Sequence, residues 1–407
     1  MYITEPIKKV PVLGEYDVIV AGGGIAGISA ALAATRQNKK VLLLEKQYML
    51  GGLATAGLVT IYLPLCDGEG RQVSFGIAEE LLRLSVKHGY EPAICELKYD
   101  PTWIKRGMAW LENGSIEDKV KFRYQVEFNA NLFAILCEQL LLENKVDILY
   151  GTAICSCSVE NSKITSVITE NKSGRNAYTA KSFVDASGDA DLCLLSGADT
   201  VEFTQGNVLA SWYYEMYNND YTLNMLGFAD VPDKYKKADA PKMKRYKGLD
   251  GKELSDMTCE AHFNILNHFL NKGGISREHS LASMATIPQI RMTRRIDGAY
   301  TMNDEEMFKE FEDSIGMIGD WRKAGPVYEI PFSCLYGNGI KNLITCGRCI
   351  SVTEDMWDIT RVIPACAVTG EAAGIAAAMT DDFANIDKND LFVRLEKAGV
   401  KRHISDL

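Results

Sequence analysis

The chain has 407 residues, 47% of them apolar, which is enough for a large core and two domains. A formal charge of −10, from 54 acids against 44 bases, disfavours a nucleic-acid surface. No run reaches the length of a membrane span, and MYITEPIKKVPVLGEYD lacks the apolar stretch of a signal peptide, so a cytoplasmic protein is expected. The 11 cysteines are odd in number and thinly spread, as reduced thiols would be and a disulfide scaffold would not. Cys346 and Cys349 make one CxxC pair without a second, and no histidine cluster accompanies them, so no metal site is expected.

The first patterned element is YDVIVAGGGIAGISAALAATRQNKKVLLLEK. Tyr16–Ala21 reads as a strand with β-branched residues at its centre. Gly22, Gly24 and Gly27 form GxGxxG. The first permits the tight turn, the second lets backbone approach a pyrophosphate, and the third lets the helix pack on the sheet. A helix from Ile25 to Gln37 would aim free amide N–H groups at phosphate. KKVLLLEK is the second strand, and Glu45 ends it where an acid would accept from ribose hydroxyls. An acid there favours an unphosphorylated ribose but does not separate NAD from FAD.

After Glu45 the chain reads KQYMLGGLATAGLVT. Gly51 and Gly52 predict a tight turn with backbone laid along an extended cofactor, in place of another helix–strand alternation. PLCDGEGRQVSFGIAEELLRLSVKHG is a polar glycine loop holding Cys66, then a helix over 76–87. Further on come a helix over 131–144, a strand over 146–149, and a strand pair turning at Ser173 and Gly174. AKSFVDASGDADLCLLSGA reads as strand, Gly–Asp turn and short helix. The composition shifts from about residue 200 to 330. Aromatic residues crowd SWYYEMYNND, GFADVPDKYKKADAPKMKRYKGLDGKEL is charged and loop-rich, and a helix is predicted over 256–271 with Phe263, Leu266 and Phe269 at helical spacing. The chain closes with KNLITCGRCISVTEDMWDITRVIPACAVTGEAAGIAAAM, read as a strand, a turn at Gly347, a long loop and an alanine-rich helix over 364–379.

Three arginines, Arg291, Arg294 and Arg295, crowd IPQIRMTRRIDG. As a helix or a strand, this stretch would turn at least two guanidinium groups, Arg291 and Arg295 among them, to one side. Such forks suit carboxylates and phosphates, and pairing with protein acids or the dinucleotide's pyrophosphate is the alternative. Arg361 stands just before the alanine-rich helix, where a cation could hold an anion. Arg348 is read as structural and His279 as a surface residue. Cys366 lies at the helix start, where a thiol pKa would fall, so it is either a redox thiol or a small core residue.

The succession GGGIAGISAAL, LLLEK, GGLAT, DASGDAD, IPQIRMTRRIDG and GRCIS…R…PACAVTGEAAGIAAA resembles the FAD-dependent oxidoreductases of the glutathione-reductase-like flavoprotein superfamily. It lies nearest the branch related to heterodisulfide reductase A-like flavoproteins, without their four-cysteine iron–sulfur insertions. The resemblance implies an α/β fold: a Rossmann-like FAD-binding domain of glutathione-reductase type with an inserted mixed α+β substrate domain. The FAD domain would be discontinuous, built from 1–60, 120–200 and 331–407, and the substrate or cap region would take 61–119 and 201–330. FAD contacts are implied at Gly22, Gly24, Ile25, Ala26 and Gly27, then at Glu45 and Lys46. They continue at Gly51, Gly52, Leu53, Ala54 and Thr55, at Ala153, and at Ser187, Gly188 and Asp189. The last are Gly347, Arg361 and the backbone of Ala367 and Val368, beside the flavin ring. The expected activity is transfer of hydride or electrons to or from a small organic substrate, anionic if the arginines face it. Arg361, Arg291, Arg295 and Cys366 are the candidate catalytic residues. Two other uses stay open: electron transfer with a redox partner protein, and a flavin that is not redox-cycled. A homo-oligomer is equally compatible. Cys66 is the one early candidate for a covalent flavin tether.

Overall fold

The computed structural model describes residues 2–4, 6–88, 126–227 and 243–407. The expected domain limit at 119/120 and most of the charged stretch after Gly227 lie outside the described residues. Val18, Ile19 and Val20 are fully buried at the centre of the first strand, which runs Val12–Ala21 and so begins earlier than its β-branched run suggests. It pairs in parallel with Val41–Leu44 on one side and Gly174–Asp185 on the other. Asp147–Leu149 extends the sheet in parallel beyond Val41–Leu44, and Lys163–Asn171 and Ala153–Glu160 continue the opposite side as an antiparallel meander. The short strand Leu343–Thr345 pairs in parallel with Phe183–Asp185. Ala21, Leu44, Leu149, Asp185 and Thr345 therefore end along one edge, the edge at which open α/β sheets take ligands.

Two helices cover the inner face of this sheet. The first, Ile25–Arg36, is buried at every residue from Ile25 to Ala34, and the second, Ile363–Met379, at nearly every position. Both lack a polar face, because each lies between the sheet and other elements. Glycine sets their approach. A Cβ on Gly370 would fall 2.3 Å from the Ala26 carbonyl oxygen, and one on Gly374 would fall 2.2 Å from that of Ala30. Ile28, Leu32 and Ile375 are almost solvent-free, each contributing about 2 kcal/mol by burial. The connection before the second helix is not the long loop expected. Thr353 caps it and residues Glu354–Thr360 form a short helix. Among the described residues no single helix is long and apolar enough to cross a membrane.

A second layer comes from the later part of the chain. Strands Asp220–Leu226, Ser211–Tyr217 and His279–Met284 form an antiparallel sheet in that order. The helix Gly251–Asn271 covers it, starting before the predicted 256 because the Asp250 carboxylate accepts from the Glu253 N–H. That helix buries Met257, Ile265 and Phe269, whereas Phe263 and Leu266 are exposed, so the predicted apolar spacing picked only one residue of the buried face. Arg294–Ile296 pairs with Thr200–Glu202, tying this region to the end of the large sheet.

Candidate functional site

The glycine turn follows directly from the end of the first strand. Gly22 has φ +102°, and a Cβ there would fall 2.6 Å from the Ala186 carbonyl oxygen. On Gly27 it would fall 1.9 Å from the Gly22 carbonyl oxygen, so the third glycine accommodates the turn itself as much as the sheet. Gly24 differs. No atom lies within 4 Å of where its Cβ would stand, so a side chain there would project into open space. The helix starting at Ile25 has no side-chain cap, which leaves its first amides unclaimed by any cap.

Glu45 is buried and fixed by backbone donors. The Gly23 N–H donates to its Oε2 and the Gln47 N–H to its Oε1, each at 2.7 Å. An ionised carboxylate has about four acceptor positions, so both oxygens can still accept from a diol. The Gly51–Gly52 turn folds back on the first one: the Gly51 N–H donates to the Gly23 carbonyl at 2.8 Å. The two glycine motifs are thus one cradle.

One cavity of about 790 Å³ connects this cradle with the far segments of the chain, a size suited to a large ligand. Of the implied cofactor positions, Gly22, Gly24, Ile25, Ala26, Glu45 and Lys46 line it, as do Gly51, Gly52, Leu53 and Ala54. So do Ala153, Ser187, Gly188, Asp189, Gly347 and Arg361. Gly27 and Thr55 stand behind the wall, Thr55 donating its hydroxyl to the Leu50 carbonyl. Ala367 and Val368 also miss the cavity, correcting the expected backbone role. The helix begins at Ile363 and the Cys366 N–H already donates to the Val362 carbonyl at 2.9 Å, so the unclaimed amides sit a turn earlier. Val362, Ile363 and Cys366 line the cavity in their place.

Positive charge gathers at the same end. Arg361 donates through Nε and Nη2 to Asp358 Oδ1 at 3.0 and 2.6 Å, and its guanidinium lies 5.6 Å from the Trp321 ring centre. Asp358 is fully buried, and Arg322 approaches its other oxygen at 3.6 Å. Arg348 lines the cavity and holds the chain opposite, donating from Nη1 to the Ile290 and Arg291 carbonyls. Its Nη2 lies 3.6 Å from Asp189. The expected convergence of Arg291 with Arg295 does not occur. Residues before Arg294 are not in a strand, so face alternation does not apply. Arg291 enters the cavity wall, Arg294 pairs with Asp191 at 3.0 Å, and Arg295 donates to the Ile296 carbonyl and Ser351 away from the cavity. The pairing that sequence reasoning missed is Arg291 with Arg348 and Arg361, residues from distant segments with no shared spacing.

Negative charge lies beside these arginines, at Asp189 and Asp191. Burial and the nearby Asp189 and Asp185 push the Asp191 carboxyl up to about 6. Cys366 contradicts the expected acidified thiol: burial pushes it up to about 11, against the opposing pull of Arg348 and Arg361. Cys66 is buried outside the cavity lining, accepting from the Gly68 N–H. His279 is buried too, bonded to Glu215 at 3.1 Å, and is not a surface residue.

A glycine turn, a buried acid closing the second strand and a cavity along the strand ends define a dinucleotide-binding protein of Rossmann type. The chain belongs to the FAD-dependent oxidoreductase family, whose family model matches residues 17–210 and 203–383. Thioredoxin reductase of Ureaplasma parvum serovar 3 is 35% identical over 78 residues, 19% of this chain and 25% of that protein. The match thus spans about a quarter of that relative. Among solved structures, a geranylgeranyl bacteriochlorophyll reductase-like protein of Thermoplasma acidophilum is 16% identical with TM-score 0.42, covering 95% of this chain and 82% of that one. A p-nitrophenol 4-monooxygenase of Pseudomonas putida DLL-E4 gives 11%, 0.42, 95% and 81%. A 3-ketosteroid dehydrogenase of Rhodococcus jostii RHA1 gives 12%, 0.40, 90% and 98%.

Proposed function

We propose that this cavity holds FAD extended, with its ADP half on the glycine cradle and its ring beside Arg361, Val362 and Ile363, and that it oxidises or reduces a small organic molecule there. The observation that carries the reading is the single cavity lined both by Gly22, Gly24 and Glu45 and by Arg361, Ile363 and Cys366. Bound FAD supplies a reversible acceptor of two electrons. The rest is the work of this chain. The uncapped helix at Ile25 presents amides to the diphosphate, and Glu45 accepts from the ribose diol. The unclaimed amides and positive pole at Ile363 favour negative charge at the ring. The fold corresponds to the glutathione-reductase type, in the branch related to heterodisulfide reductase A-like flavoproteins.

The three-part FAD domain of 1–60, 120–200 and 331–407 is supported by the large sheet, whose strands all arise in those segments. The three-stranded sheet and the helix Gly251–Asn271 arise within 201–330, the proposed cap. From that region Leu254, Thr258, Ile287 and Pro288 close the cavity. The test is an anaerobic screen of small organic reductants and oxidants that follows flavin absorbance. Stoichiometric bleaching or recolouring by a small molecule alone is expected. Redox change only with a protein partner, or product formation without it, would contradict the proposal.

A further inference from the structure

Arg291 lines the cavity, and the protein leaves two donors of its guanidinium unanswered. Arg291 is 3% exposed, and neither its Nε nor its Nη2 has a hydrogen-bond partner. No carboxylate pairs with it among the described residues. The two orphaned donors are not random. They lie on the same edge of the planar group, the edge that grips two oxygens of one carboxylate at once. A buried, unanswered cation is costly, and the cost falls when an anion supplies both acceptors.

The surroundings hold this residue in place and work against its charge. The Arg291 N–H donates to Asn207 Oδ1 at 3.1 Å, its carbonyl accepts from Arg348 at 3.1 Å, and its guanidinium lies 5.0 Å from the Trp212 ring centre. Burial, then Arg361 and Arg348, push the group down to about 9, the direction expected of a cation among cations. The adjoining wall from Ile287, Pro288, Ile290 and Leu254 is apolar.

Resting on the reading of this cavity as an FAD site, the geometry points to Arg291 as the clamp for the carboxylate of the organic substrate, through a side-on pair of hydrogen bonds from Nε and Nη2. The substrate class is then a carboxylic acid with an apolar body. Arg361 adds charge without being the primary grip, because Asp358 already occupies its own Nε–Nη2 edge. The FAD diphosphate is the other anion that could fill this edge, and the test separates the two.

The experiment uses the purified holoprotein and reads its flavin spectrum during titration with acetate, benzoate and the uncharged isostere benzamide. A saturable spectral shift is expected with benzoate, with benzamide at least about tenfold weaker, since it lacks the charge and the second acceptor. R291M should weaken benzoate about 100-fold and R291K about tenfold or more, because lysine is a point charge without the fork. Both variants should keep the FAD dissociation constant of the unsubstituted protein, measured by reconstitution. R291M should keep or raise the thermal midpoint, since it removes a charge that has no partner. Three results would overturn the clamp: no shift by either carboxylate, an unchanged benzoate response in R291M, or R291M losing FAD affinity in step with benzoate. The last would make Arg291 a diphosphate contact. A protein that takes up no FAD in any form would instead overturn the underlying cofactor reading.

Discussion

The two ends of the cavity are built on opposite principles. At the glycine end the working groups are backbone amides, and side chains matter by being absent: Gly24 leaves space and Gly27 avoids the Gly22 carbonyl. At the arginine end the working groups are long side chains from two distant stretches, Arg291 in one and Arg348 with Arg361 in the other. Arg291 depends on Asn207, a partner that no local spacing reveals, whereas Arg361 is held by Asp358 three residues before it. A backbone site tolerates almost no substitution but is insensitive to charge. A side-chain site tolerates shape changes but fails when a counter-charge is lost.

Substitution at Gly24 gives the largest expected effect. Its φ of −70° suits any L residue and nothing crowds its Cβ, so G24V should fold normally. The valine would occupy the cofactor path and lower FAD affinity by at least about 100-fold, ~3 kcal/mol. Unchanged circular dichroism with a flavin-free protein is the expected outcome, and a fully flavinylated G24V would erase the contrast between the two ends.

At the arginine end, D358N should cost about 3 kcal/mol of stability, because Arg361 loses its counter-charge while Arg322 keeps Asp320. Denaturant unfolding measures it, and a loss below about 1 kcal/mol would show that Asp358 holds nothing in place.

A smaller effect is set by pH. Glu371 sits in the middle of the Ile363–Met379 helix and accepts from the Ile77 N–H at 2.8 Å. Burial pushes its carboxyl from 4.5 up to about 8. The folded protein therefore holds a proton that the unfolded chain releases across that window, and stability falls as pH rises through it. E371Q has no proton to lose. It should match the unsubstituted protein near pH 5 and exceed it by about 1 kcal/mol or more at pH 8, visible as a rise in thermal midpoint of about 2 °C. Parallel pH profiles for the two proteins would refute the assignment.

The smallest effect concerns Cys366. With its thiol held protonated at neutral pH, C366S should keep flavin content and reduction rate within about twofold, and thiol reagents should label exposed Cys259 well before Cys366. Rapid labelling of Cys366 would restore it as a redox thiol.

The same contrast explains what could be read from the sequence. The strand, glycine turn, helix, second strand and Glu45 were legible because each depends on neighbours within one βαβ unit. The meander around Ser173 and Gly174 was legible for the same reason. The short helix at Glu354–Thr360 was hidden in a polar run and is stabilised by its Thr353 cap and its buried Trp357. Arg295 was misassigned because a face rule was applied across Arg291–Arg295, where the chain is irregular up to Arg294. Ala367 and Val368 were one turn too deep because the helix begins at Ile363, ahead of its proline. Asn207 and Trp212, which fix Arg291, carry no signal in their own neighbourhoods.

The most direct measurement of the central claim is the FAD-to-protein ratio of purified, reconstituted protein, with FAD released by denaturation and quantified. A ratio near one, displaced competitively by ADP, is what a cradle for the ADP half predicts. A protein that refuses FAD, or binds it with no competition from ADP, would contradict the account.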